Sequence, residues 1–184
     1  MTRREALRLA VGGVAAAAAP LGAPAAARAD VFDERKKQEK AAVSAAVAGE
    51  LTTTVAFEAI ANSELLGHSD TGTMRVLLDH AKVHADTLGE AMKDQLDDDP
   101  PLAPKRTEIE GLARLRGRED ALRLAMRLER RAVAAHLAAV EKTHDAVLLK
   151  AIAGILGSDG QHLVLLRQLL GEPPLPSAFE RGAA

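Results

Sequence analysis

The sequence predicts an all-α protein folded as a four-helix bundle that is built from two repeated helical hairpins. Alanine and leucine are abundant and aromatic residues make up 2% of the 184 residues, a composition that favours helices over strands. Four long segments repeat apolar residues at steps of three and four, as the buried face of a helix does. The ionisable residues on the first two segments recur at nearly constant spacing on the last two, which indicates a duplicated hairpin.

The first predicted hairpin consists of two long helices. The first helix covers about residues 34–66, and Gly67 is a natural residue to end it because glycine tolerates a left-handed backbone. The second helix begins at a capping residue, Asp70 or Thr71, and runs to about Gln95.

The second predicted hairpin follows a linker. Three aspartates followed by two prolines predict this linker over residues 97–106. A short helix is expected after Thr107, and the third long helix over about residues 119–142. Asp145 is the predicted cap of the fourth helix, which ends at Gly171 before three closely spaced prolines.

The N-terminus shows the layout of a twin-arginine export signal. Arg3 and Arg4 are adjacent, a mildly apolar run rich in alanine follows, and a small-x-small cleavage motif lies at 27–29. Two prolines interrupt the run, so it would hold weakly as a membrane anchor. We therefore expect a cleaved signal peptide over 1–29 and a periplasmic or extracellular domain over 30–184, with no stable membrane anchor.

Composition excludes several function classes. Removing the predicted signal takes away four of the 24 basic residues and one of the 26 acidic ones, so the remaining chain carries a net charge of −5. A basic nucleic-acid footprint is therefore absent, and the few aromatics argue against a stacking platform for single strands. The absence of cysteine excludes disulfides, thiolate ligands and thiol nucleophiles.

Residues 172–184 form a predicted C-terminal tail.

Each predicted helix carries ionisable residues near the middle of its apolar stripe. The five residues that share this position are Glu50, His84, Glu129, Asp159 and His162. Burying an unpaired carboxylate costs several kcal/mol, so these groups need a common explanation. A divalent metal supplies one, since carboxylate oxygens and neutral imidazoles suit iron, manganese or zinc. His80 lies one turn before His84 and is a further candidate ligand.

The spacing of these residues is repeated. Glu50 and Glu129 are 79 positions apart, and His84 and His162 are 78 apart. Side chains at i and i+3 lie on one face of a helix, so Asp159 and His162 present an oxygen and a nitrogen to the same point. A pseudo-two-fold packing of the two hairpins would bring all five residues into one layer.

These residues resemble the metal ligands of the ferritin-like family. The di-iron bundles of that family use a Glu on each of two helices and a Glu-x-x-His motif on each of the other two. Glu50 and Glu129 match the lone glutamates. Asp159 and His162 match one motif, with Asp for Glu, and His84 matches the histidine of the other. The segment 158–174 is also similar to the C-terminal stretch of exported ferritin-like domain proteins, and the likeness covers roughly residues 35–182.

The resemblance implies a metal centre that holds iron or manganese, with zinc less favoured, and metal-centred redox chemistry if the protein is an enzyme. Ala81 departs from the pattern, because it stands where the second motif has a carboxylate. The departure favours a single-metal or asymmetric site over a full di-iron site.

Two other functions remain open from the residues alone. The same acids and histidines would satisfy one another in a metal-free Glu–His network. A ligand- or partner-binding bundle would instead use an apolar pocket near Ala46 and Ala61. His136 is interpreted as a core histidine with a hydrogen-bond partner. The sequence leaves open whether the protein is an enzyme and whether it forms a homo-oligomer.

Overall fold

Four α-helices form the fold. The computed structural model describes residues 25–176, with side chains from residue 30 onward. The helices in this part of the chain are α1 (Ala25–Ala61), α2 (His68–Leu96), α3 (Arg118–Lys142) and α4 (Ala146–Leu170). Two single 3₁₀ turns, Arg106–Glu108 and Leu112–Arg114, lie between α2 and α3, and the described residues contain no strand. The predicted all-α four-helix bundle is confirmed.

An apolar cluster lies at each end of the bundle. Cluster A joins the end of α1, the beginnings of α2 and α3 and the end of α4; its most deeply buried members include Phe57, Ile60, Met74, Leu77, Leu122, Leu124 and Leu166. Cluster B joins the opposite ends of the same helices; its most deeply buried members include Val43, Val47, Leu88, Met92, Leu148 and Ile152. Therefore α1 and α4 run in one direction, and α2 and α3 run in the other.

This topology requires a long crossover between α2 and α3. Because α2 ends at cluster B and α3 begins at cluster A, residues 97–117 must pass along the length of the bundle. The carbonyl of Asp97 accepts a hydrogen bond from Lys40 at 3.3 Å. Further along, Arg106 pairs with Glu58 at 3.3 Å, and Ile109 is buried in cluster A. The crossover is thus attached to the bundle at both ends.

The end of α1 differs from the prediction. The helix ends at Ala61, not at Leu66. The Ser63 hydroxyl donates to the carbonyl of Ile60 at 2.7 Å and accepts the backbone N–H of Leu65 at 3.3 Å. Such local bonds from a serine side chain compete with the helical ladder, so the chain leaves the helix before the apolar pattern ends.

The beginning of α2 also differs from the prediction. Gly67 does not end α1 in a left-handed conformation; its φ is −69°, and it is the N-cap of α2, which begins at His68. Neither Asp70 nor Thr71 is the cap. The backbone N–H of Thr71 donates to the Gly67 carbonyl at 2.9 Å, and the Asp70 carboxylate pairs with Arg118 at 2.5 Å.

Both ends of α4 confirm the prediction. The Asp145 carboxylate accepts the backbone N–H groups of Val147 and Leu148, each at 2.9 Å. Gly171 closes the helix with a φ of 72°, a left-handed conformation that favours glycine.

The predicted signal peptide over 1–29 lies almost wholly outside the described residues, as does the predicted tail beyond residue 176. The first helix begins at Ala25, before the predicted start near Glu34, because alanines continue its high helix propensity. The helical residues 25–34 belong to a compact unit separate from the one that begins at Arg35.

The stretch Asp30–Ala61 of α1 is long and apolar enough to cross a membrane, judged by length and composition only. Core helices of soluble proteins pass the same test. The apolar residues Val43, Val47, Phe57 and Ile60 of this stretch are buried in the two end clusters, which accounts for its hydropathy.

Asp145→Ala is expected to lower the free energy of unfolding by about 1 kcal/mol, because two backbone N–H groups lose their acceptor. Urea unfolding followed by circular dichroism measures the change. Asp86→Ala, which changes an exposed aspartate within α2, serves as the control and should be no less stable than the parent protein. Equal midpoints for Asp145→Ala and the parent would contradict the capping role.

Candidate metal centre

Six ionisable side chains from all four helices meet between the two end clusters. Each is less than one-tenth exposed. They are Glu50 on α1, His84 on α2, Glu129 and His136 on α3, and Asp159 and His162 on α4. The structure therefore brings together all five residues that the sequence singled out, and adds a sixth. That these residues ligate a metal stays a prediction.

One group of ligand atoms joins α1, α2 and α4. His84 Nδ1 lies 3.3 Å from Asp159 Oδ1 and 3.6 Å from Glu50 Oε2. One nitrogen or oxygen atom from each residue lies within 4.8 Å of the others, an arrangement that would hold a metal ion. The three residues are thus potential ligands of one ion.

A second group joins α3 and α4 and shares Asp159 with the first. His162 Nδ1 lies 2.5 Å from Glu129 Oε1 and 3.9 Å from Asp159 Oδ1. These three residues also offer ligand atoms within 4.8 Å of one another. Asp159 and His162 face the same point, as their i, i+3 spacing predicts. Asp159 is therefore positioned between the two groups.

His136 is the functional candidate that the sequence analysis missed. Its Nδ1 lies 2.9 Å from Asp159 Oδ2 and its Nε2 lies 3.4 Å from Glu50 Oε1, so the ring stands between two carboxylates. The expectation of an ordinary core hydrogen bond was wrong, because neither ring nitrogen has a partner with hydrogen-bond geometry. Its position two turns after Glu129 on the same stripe was the available signal.

His80 lies at the edge of the centre. Its side chain is exposed, and its Nδ1 lies 2.9 Å from His162 Nε2. The two rings stack with centroids 5.2 Å apart, while His84 and His162 stack at 5.7 Å. His80 belongs to neither group of converging ligand atoms among the described residues. Ala81, the neighbour of His80, is buried and contributes only a methyl group.

Burial raises the pKa of two of the three acids. The pKa of Glu129 lies well above 4.5 because the carboxylate is desolvated, and the charges of Asp159 and Glu50 raise it further. Desolvation likewise raises the pKa of Glu50. Burial alone would raise the pKa of Asp159 too, but interactions with His136 and His84 outweigh it and lower that pKa. A shared layer therefore gives chemically similar groups different proton affinities.

The imidazoles also differ. Burial opposes protonation of His84, yet the Asp159 and Glu50 carboxylates outweigh it and raise the pKa to about 9. Burial lowers the pKa of His162. Partial desolvation, reinforced by the neighbouring His162, lowers the pKa of His80. At neutral pH His84 is therefore charged in the metal-free protein, whereas His162 and His80 are neutral and able to act as ligands.

The residues present fit a divalent metal. Buried polar atoms are normally hydrogen-bonded, but several atoms in this layer have no partner of suitable geometry. They are Glu50 Oε1, His84 Nδ1, His136 Nδ1 and Nε2, and Asp159 Oδ2. Carboxylate oxygens and imidazole nitrogens are the donors that iron, manganese and zinc accept. A buried layer with these unbonded donors has the chemistry of a metal centre.

The structure places the two alanines of the predicted apolar pocket, Ala46 and Ala61, in different end clusters. Ala46 is buried in cluster B and Ala61 in cluster A, because the two residues lie near opposite ends of the bundle. A cavity of about 590 Å³ lies instead between α1, α2 and the crossover, where Val47, Gly89 and Pro100 contribute to its lining.

Comparison with known proteins gives a family and a fold. The profile of the family described as "Ferritin-like domain" matches residues 25–172. No curated protein matches the chain. A solved structure described as a conserved hypothetical protein from Mycobacterium tuberculosis is similar at 21% identity and a TM-score of 0.68. The match covers 79% of this chain and 99% of that one, and at this identity it supports the fold alone.

Glu129→Gln is expected to stabilise the metal-free protein at about pH 8. Because folding raises the pKa of Glu129, the folded state binds its proton more tightly and loses stability as pH rises above 4.5. The amide of the variant cannot ionise. The difference in unfolding free energy between Glu129→Gln and the parent should therefore grow as pH rises and shrink towards zero as pH falls towards 4.5. Urea unfolding in chelator-containing buffer across this range measures the effect.

Glu141→Gln changes an exposed glutamate on the same helix and is the matched control, with no expected trend. A Glu129→Gln variant that is less stable than the parent at every pH would contradict the assigned cost of burying this carboxylate.

Proposed function

This chain belongs to the ferritin-like domain family, and on that premise we propose that it is an exported protein that binds a divalent metal in its core. The observation that carries the proposal is the set of buried nitrogen and oxygen atoms that converge from four helices without hydrogen-bond partners. A structural network would be expected to pair such atoms, since each unpaired buried group costs about 1–3 kcal/mol.

The proposed ligands form two unequal groups. Glu50, His84 and Asp159 would hold one ion, and Glu129, Asp159 and His162 would hold a second. Asp159 is shared, and no residue of α2 supplies a second shared carboxylate because position 81 is alanine. We therefore propose an asymmetric centre that binds one ion more tightly than the other, or one ion alone.

Iron or manganese is favoured over zinc. The layer offers three carboxylates as well as imidazoles, and oxygen-rich sites suit manganese and ferrous iron. Either metal supplies one-electron redox chemistry when it is bound. The chain itself contributes ligands held on rigid helices and a surrounding core, clusters A and B, that excludes water.

A second candidate is a metal-free bundle that keeps the family fold. Two observations favour it: Ala81 lacks a ligand atom, and His162 Nδ1 is already hydrogen-bonded to Glu129 Oε1 at 2.5 Å. In this case the layer would serve folding specificity, and any function would lie in a ligand or protein partner.

Metal content separates the two candidates. We expect about one or two ions per chain after anaerobic loading with Fe(II) or Mn(II), measured by inductively coupled plasma mass spectrometry. Glu50→Ala/Glu129→Ala should lose this metal, because each substitution removes a ligand from one group. Glu58→Ala/Glu141→Ala, which changes two glutamates outside the layer on the same two helices, should keep it. A parent protein that stays metal-free under iron, manganese and zinc would establish the second candidate.

Export is the second part of the proposal. It rests on the adjacent Arg3 and Arg4, the alanine-rich run and the 27–29 motif, which together have the order of a twin-arginine signal. That route carries folded proteins, so a metal centre assembled before export would be retained.

Arg3→Lys/Arg4→Lys is expected to leave the precursor in the cytoplasm of a bacterium that has a twin-arginine route, because the signal is recognised through the arginine pair. Cell fractionation with mass measurement detects both the location and the loss of residues 1–29. Arg8→Lys, outside the pair, is the control. Export of the paired variant at the parental level would contradict this route.

A further inference from the structure

The buried centre has one side that approaches solvent. Glu50, Glu129, His136 and Asp159 are at most 2% exposed, whereas His162 is 3% and His84 8% exposed. His84 lies on α2, so this helix forms the side of the centre nearest the surface, and His162 of α4 meets that side through its contact with His80.

His80 connects this side to solvent. It is exposed on α2, one turn before His84, and its Nδ1 lies 2.9 Å from Nε2 of the buried His162. A single contact between two imidazoles therefore links the exposed His80 to His162, a proposed ligand of the centre.

His162 has two nitrogens that face opposite environments. Nδ1 lies 2.5 Å from Glu129 Oε1 on the inner side. Nε2 faces His80 and the half-buried hydroxyl of Ser158, which lies 3.3 Å away. In the tautomer that carries its proton on Nδ1, Nε2 has its lone pair on the outer side, where Nδ1 of His80 faces it. The two stacked histidines thus place two nitrogens together at the outer edge of the centre.

We propose that His80 and the outer nitrogen of His162 form an entry site, which captures a divalent transition-metal ion from solvent and delivers it to the buried carboxylates. This inference rests on the proposed metal-binding function. It explains why an exposed histidine contacts a buried one although His80 lies outside both groups of converging ligand atoms.

The entry site would also select the metal. Imidazole nitrogens bind iron, zinc, nickel and copper, whereas manganese, magnesium and calcium prefer oxygen ligands. The buried carboxylates alone would accept these three oxygen-preferring ions from solvent. Two imidazoles at the entrance, with alanine rather than a carboxylate at position 81, favour iron over manganese, magnesium and calcium.

The rate of metal uptake tests this proposal. Co(II) is the probe, since its visible absorption reports its ligands, and the metal-free full chain is mixed with it in a stopped-flow instrument. His80→Ala is expected to slow uptake about tenfold, the size of effect that loss of an outer partner commonly has at a metal site. The final spectrum and the number of ions bound should equal those of the parent. His68→Ala, which removes another exposed histidine of α2, should leave the rate unchanged.

The outcomes distinguish this proposal from the proposed function. A parent protein that takes up no cobalt, iron, manganese or zinc would refute metal binding and the entry site together. Normal uptake by the parent and an equal rate in His80→Ala would refute the entry site alone. Loss of bound metal in His80→Ala would also refute it, because His80 would then be a permanent ligand.

Discussion

The cost of burying three carboxylates between two apolar clusters is the constraint on which the rest of this structure depends. Glu50, Glu129 and Asp159 are almost wholly removed from water, and their carboxyl groups lie in one layer. Three histidines share that layer, but their contacts with the acids leave several nitrogen and oxygen atoms without hydrogen bonds. Without metal, the buried layer therefore destabilises the folded state, and the apolar packing of clusters A and B has to compensate for it. A divalent cation would offset this destabilisation.

The two hairpins contribute unequally to the layer. The first supplies one residue from each helix, Glu50 and His84, and the second supplies two from each. At the positions that correspond to His136 and Asp159, the first hairpin has Phe57 and Ala81. Phe57 joins cluster A, so the first hairpin carries an apolar core residue where the second carries a histidine of the layer. The first hairpin also carries His80, whose exposed side chain contacts His162 at the edge of the layer.

Much of this arrangement was predictable, because periodicity and spacing are properties of the chain itself. The stripes on four helices required a bundle, and residues 78 or 79 positions apart were bound to meet if the hairpins packed alike. Caps that act within one turn, such as Asp145 and Gly171, were predictable for the same reason.

The failures depend on contacts that sequence does not specify. Ser63 ends α1 early through bonds to its own backbone, although the apolar pattern continues to Leu66. Asp70 is drawn away from capping by Arg118, a residue 48 positions later. His136 was left out of the predicted ligands because the carboxylates beside it, those of Glu50 and Asp159, come from two other helices. The contacts of Asp70 and His136 join different helices, and the bonds of Ser63 are local but independent of the apolar pattern.

The central claim is that the buried layer, rather than any surface carboxylate, holds the metal. Anomalous X-ray diffraction from crystals of the protein loaded anaerobically with Fe(II) or Mn(II) tests it directly, because it locates the ion. The account predicts the strongest anomalous peak between the side chains of Glu50, Glu129 and Asp159, with His84 and His162 beside it. Loaded crystals with no peak in this layer, or with peaks confined to the molecular surface, would contradict it.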